Sequence, residues 1–174
     1  SPPPDSLTKG LVAYYPFNGN AKDESGNGND GVVKGPVLTA DRHGNASKAY
    51  SFDGKEDLVE LPASDSINTQ RDFSVSFWVN AEESQPGVSA DAIGLITRWD
   101  RSNVRETFGV WIKGSDQVGV CVWPNGNWAM TGSLKKQIWQ HVICSYSQDP
   151  SEASLYVNGD KKQKLESTVY SLRP

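Results

Sequence analysis

Between Phe73 and Asn80 the side chains alternate without a break. Phe73, Val75, Phe77 and Val79 fall on one side of an extended chain, and Ser74, Ser76, Trp78 and Asn80 fall on the other. That period fits a strand with one face in a core and the other in water. The pattern recurs twice. Phe108, Val110 and Ile112 alternate with Thr107, Gly109 and Trp111, while Val118, Val120 and Val122 alternate with Gly119, Cys121 and Trp123. An odd-length loop around Gly114, Ser115 and Asp116 pairs Ile112 with Val118, Val110 with Val120 and Phe108 with Val122. A two-residue loop would mix the faces, because a slip of one residue turns every side chain over. The same register sets Trp111 opposite Gly119 and Trp123 opposite Thr107, and a ring laid over a cross-strand glycine stabilises a sheet.

Further extended runs are predicted at residues 11–17, 49–53, 58–61, 94–99, 139–146 and 153–158, beside those at 73–80, 107–113 and 118–123. Gly, Asn, Asp and Pro separate them, and no long amphipathic helix interrupts them, so helix is limited to single turns. Short strands spaced by turn residues predict an all-β sandwich or barrel. A chain of 174 residues suits one domain, placed at 10–174, after a Pro-rich linker or trimmed terminus at 1–9. The 17 Lys and Arg against 21 Asp and Glu give a net charge of −4, without the basic stripe of a nucleic-acid binder. No stretch approaches the roughly 20 apolar residues of a membrane span. The absence of an initiator Met and of a leader fits a secreted chain whose signal is already removed.

Residues 23–30 place oxygen-bearing side chains at Asp23, Ser25, Asn27 and Asn29 on a Gly-rich loop. Alternate hard oxygens suit Ca²⁺. The position of the EF-hand glutamate is Lys34, so this is no EF-hand. An Asn- and Gly-rich turn without metal is the other reading of the same residues.

The stretch from Val122 to Trp128 is a hairpin tip with Asn125-Gly126 at its centre. Trp123 and Trp128 are expected to face each other across it. They form either a flat platform for a sugar or a peptide, with Asn125 and Asn127 as polar contacts, or a pair that only stiffens the tip. Trp111 shares the face of Trp123, and Trp99 ends a strand at a rim beside Arg98, Asp100 and Arg101. Trp78 and Trp139 are expected to be packing residues. His141 reads as a half-buried structural histidine.

Glu56, Asp57 and Glu60 are the residue types of a glycosidase strand, but Asp57 and Glu60 are three apart and point to opposite faces. A non-catalytic protein is expected. Cys121 and Cys144 fall on opposite faces of their strands, which predicts two free buried thiols in place of a disulfide. Asn45-Ala46-Ser47 is a glycosylation sequon.

Five ordered segments carry a resemblance: GLVAYYPFNGNAKDESGNGNDG at 10–31, AYSFDG at 49–54, FSVSFWV at 73–79, WQHV at 139–142 and LYVNG at 155–159. In that order they resemble the laminin-G-like, concanavalin A-like jelly-roll domains. The resemblance implies an antiparallel two-sheet jelly roll and an extracellular or cell-surface module that binds a glycan or a cell-surface or matrix protein. It also implies a structural calcium, for which Asp53 is the second carboxylate. The family's closing strand pair, with its late-strand Asp, has no counterpart before Pro174, so the domain is expected to be C-terminally incomplete relative to the family. Carbohydrate binding is the expected function. Protein–protein adhesion is the alternative, and glycan hydrolysis the third.

Overall fold

Inward and outward residues of β5 (Phe73–Asn80) are half-buried and exposed in strict turn, as its alternation predicts. The computed structural model describes residues 5–67, 72–82, 93–100, 105–113, 117–122, 127–147 and 152–166. Its helix is one turn, Asp5–Thr8, and the rest of the regular structure is strand. The chain divides into two compact units, Ser1–Thr69 and Gln70–Pro174.

The first unit holds two short ribbons. In one, β1 (Val32–Lys34) pairs antiparallel with β4 (Leu58–Glu60); in the other, β2 (Val37–Thr39) pairs with β3 (Ala49–Ser51). Residues 11–17, expected as a strand, join no ladder. Their backbone groups bond to side chains instead. Asn27 Nδ2 donates to Leu11 O and Val12 O, Asn29 Nδ2 donates to Val12 O, and Tyr14 N donates to Asp23 Oδ1. Short polar side chains that bond the backbone compete with sheet pairing, and here they win. Phe17, at φ 52°, ends the run.

The second unit is a pair of four-stranded sheets. One runs β12 (Asp160–Glu166), β11 (Glu152–Val157), β10 (Trp139–Ser147), β5. The other runs β6 (Ile93–Asp100), β7 (Arg105–Lys113), β8 (Gln117–Val122), β9 (Asn127–Ser133). All these pairs are antiparallel. The β7–β8 register is the expected one, with Phe108 opposite Val122, Val110 opposite Val120, Trp111 opposite Gly119 and Ile112 opposite Val118. Between the sheets lies the core: Phe108, Val110 and Val118 from one, Val142, Cys144, Ala153, Leu155 and Val157 from the other, with Leu134. Phe73 meets Phe108 edge-on at 4.8 Å across the gap. Two antiparallel sheets around such a core make a β-sandwich.

Four strands, β1, β2, β9 and β12, lie outside the extended runs expected from sequence. Asn158 and Gly159, at φ 53° and 84°, make the tight turn that joins β11 to β12. The β12 sequence, DKKQKLE, has no apolar period, because an edge strand needs charge more than it needs a buried face. In the β8–β9 pair Trp128 stands opposite Cys121 and Asn127 opposite Val122. Trp128 is therefore not the cross-strand partner of Trp123. The expected register would set Pro124 opposite Asn127, in a ladder where proline has no N–H to give.

Candidate binding surface

Trp78, Ser76 and Asn80 leave β5 on the side away from the core, and His141 and Trp139 leave β10 on the same side. The register sets His141 opposite Trp78 and Trp139 opposite Asn80. Trp78 is 43% exposed, which corrects the expectation that it packs into the core. The inward places are already taken by its neighbours Phe77 and Val79, and parity sends Trp78 outward. Trp139, also read as a packing residue, is half-buried on this outer face.

These residues hold one another. The indole of Trp78 and the imidazole of His141 are stacked, 5.0 Å apart at 20°. A 2.8 Å hydrogen bond joins Ser76 Oγ to His141 Nε2. His141 N donates to Asn158 Oδ1 at 2.9 Å, and Asn158 N donates back to His141 O at 2.8 Å. His141 is half-buried, as expected. On β11 and β12, Lys161 lies 5.7 Å from the Tyr156 ring and 3.9 Å from Glu152.

The residues proposed from sequence as a ligand site are described only in part. Trp123 and Asn125 lie outside the described residues. For Asn127 and Trp128 on β9, and for Trp99 opposite Glu106 on β6, only the backbone is described. Trp111 is half-buried on the outer face of its sheet, between Gly119 on β8 and Gly94 on β6. Trp99, Trp111, Asn127 and Trp128 belong to the sheet β6-β7-β8-β9, not to the one that carries Trp78.

The loop at residues 23–30 binds itself. Asp23 Oδ1 accepts from Tyr14 N and Ser25 N, both at 2.9 Å, and Oδ2 accepts from Asn29 N at 3.0 Å. Burial works to raise the Asp23 pKa, but the donors at Tyr14, Ser25 and Asn29 outweigh it and hold the carboxyl below its ordinary value. Asn29 is buried, its Nδ2 donating to Val12 O (3.0 Å) and Ser66 Oγ (3.1 Å) while its Oδ1 accepts from Ser64 Oγ (2.5 Å). Ser25 Oγ donates to Val12 O at 3.3 Å. Tyr15 Oη donates to Asn29 O at 2.5 Å; burial first, then the charges of Asp23 and Asp30, push this phenol up to about 12. It therefore stays a donor. Asp53 sits in a separate turn, where its Oδ1 accepts from Lys55 N (2.9 Å) and Asp57 N (3.4 Å).

Calcium needs six to eight oxygens turned toward one point. Asp23 Oδ1 and Oδ2, Asn29 Oδ1 and Asp53 Oδ1 accept from N–H and O–H donors, which an ion bound there would have to displace. Among the described residues, no group of three or more His, Cys, Asp or Glu is placed to hold a metal ion.

The carboxylates of the glycosidase-like strand are engaged as well. Glu60 forms an ion pair with Lys34 across the β1–β4 ribbon, and Asp57 Oδ2 accepts from Asp53 N at 2.9 Å. Cys144 is a free, buried thiol, whose pKa burial pushes up to about 12. Cys121 belongs to β8, and its side chain is outside the described residues.

Comparison with curated proteins and with solved structures finds no match. A family profile does match, over residues 53–173, and it describes laminin-G-type domains of the concanavalin A-like lectin/glucanases superfamily. That span takes in β4 to β12, both sheets of the second unit and the whole Trp78 face. The chain belongs to the concanavalin A-like lectin/glucanases superfamily.

Proposed function

We propose that this chain is a non-catalytic carbohydrate-binding module that works outside the cell or at its surface. One observation carries the reading: the described tryptophans stay out of the core. Trp78, Trp111 and Trp139 all lie on outward sheet faces, and the buried cluster is built from Val, Leu, Ala, Phe and Cys. Indoles are costly to leave near water unless something else covers them, and sugars present C–H faces that stack on them. The non-catalytic part rests on carboxylates that are already committed to Lys34 and to the Asp53 turn.

An array of immobilised glycans, probed with the labelled chain, tests this. A hit competed away by the same sugar in solution supports the reading. A protein ligand indifferent to sugar would move the chain to the adhesion class. Glycan turnover that disappears in Glu60→Gln would make it a hydrolase.

A further inference from the structure

We infer that the row Trp78, His141, Asn158, running across β5, β10 and the β11–β12 turn, is the contact surface for a neutral sugar. The inference rests on the carbohydrate-binding reading and gives it a site and a ligand class. Three features of the row support it.

The first is the exposure of Trp78. A buried indole removes about 150–250 Å² from water, and a 43% exposed one forgoes much of that gain. Phe77 and Val79 already fill the inward positions, so the fold does not need the ring for its core.

The second is preorganisation. His141 stacks on the indole, Ser76 holds the imidazole through Nε2, and Asn158 holds the His141 backbone from both sides. An anchored ring loses little rotamer freedom when a ligand settles on it.

The third is charge. Among the described residues, Ser76, Asn80 and Asn158 lie about the ring and bring a hydroxyl and two amides, groups that both donate to and accept from sugar hydroxyls. The Lys161 ammonium next to this row already faces the Glu152 carboxylate. A surface of this kind selects neutral sugars over uronic acids or sulfated chains.

The test uses neutral gluco-, galacto-, manno- and xylo-oligosaccharides, with polygalacturonate and heparin as anionic controls. Isothermal calorimetry measures affinity, and indole N–H resonances of the wild-type chain report the contact without any mutation. The expected result is binding of a neutral oligosaccharide that shifts the Trp78 indole signal. Affinity should fall roughly tenfold or more in Trp78→Ala, as for a hot-spot aromatic. A smaller fall is expected in Trp78→Phe, with the melting temperatures of both variants close to wild type. A neutral sugar that binds while leaving the Trp78 signal in place overturns the site and keeps the carbohydrate reading. Binding of the anionic controls alone overturns the ligand class. Binding of none overturns both site and reading.

Discussion

The indole of Trp111 lies over Gly94. A Cβ built on Gly94 would stand 3.2 Å from Trp111 Cζ3 and 3.4 Å from Cη2, and only 2.6 Å from Thr97 Cγ2. The indole thus lies on the β6 side, over Gly94, while the register sets Gly119 opposite Trp111 on β8.

Gly94→Ala should therefore destabilise the chain. Overpacking costs about 1–3 kcal/mol. The stiffer unfolded chain returns about 0.4–1 kcal/mol. A net loss near 1 kcal/mol is expected in urea unfolding. Equal or greater stability in Gly94→Ala would show that the indole and Thr97 move aside freely. By the same geometry Trp111→Ala should lower stability, whatever its effect on a ligand.

The Asp23 carboxylate supplies a second prediction. Its folded pKa is depressed, so its contribution is fully present above the unfolded value of about 3.9 and is lost as the pH falls through the lower folded value. Asp23→Ala removes the acceptor of three backbone N–H groups. It should cost about 0.5–2 kcal/mol at pH 7, the range for losing a side-chain cap. Between pH 4 and pH 2 the difference between the two proteins should shrink, as read from melting temperatures. A gap that stays constant with pH would mean that the charge plays no part.

Calcium at this loop is a proposal with a direct test. The ion would have to replace the N–H donors now on Asp23, and an ion that binds only the native state raises the melting temperature by mass action. With the loop bonded as it is, adding CaCl₂ to EDTA-treated protein should leave the melt unchanged. A rise that Asp23→Ala abolishes would show that the loop opens to take the ion.

Cys144 should be chemically silent in the folded protein. It is fully buried, and desolvation pushes its pKa up to about 12, so it is a thiol at pH 8, whereas the thiolate is the reactive form. Iodoacetamide at pH 8 should label it only after denaturant is added, as followed by peptide mass spectrometry. Rapid labelling without denaturant would contradict the packing of β10 against its facing sheet.

The elements that could be read from sequence are those whose register is enforced by a buried face. Alternation suffices for β5 and for the β7–β8 pair, since any slip would bring the valines out into water. It has no hold on β12, an edge strand rich in lysine, or on three-residue strands such as β1 and β2, too short to show a period. Residues 11–17 have strand-like composition, yet the partners that decide their fate, Asn27 and Asn29, lie well downstream. The outward face of Trp78 was legible in its parity with Ser74 and Ser76; its place in a segment that carries the family resemblance argued for packing, and parity decided. The tip with Trp123 and Asn125 lies outside the described residues. The stacking of Trp78 on His141 depends on a pairing between residues 63 positions apart, which no local pattern announces.

The amide of Asn27 has a consequence for how the protein ages. It ties residues 23–30 to the carbonyls of Leu11 and Val12, and it precedes a glycine. Asparagine before glycine is prone to cyclise through the next backbone nitrogen, releasing ammonia and then opening with water to aspartate or isoaspartate. The product would set a carboxylate against two carbonyl oxygens where a donor had been. A slow loss of ammonia at Asn27 would thus cut the tie to the Leu11 carbonyl and leave residues 11–17 held by the bonds of Asn29 and Ser25 to Val12 and of Tyr14 to Asp23, a chemical ageing of the first unit that begins at one side chain.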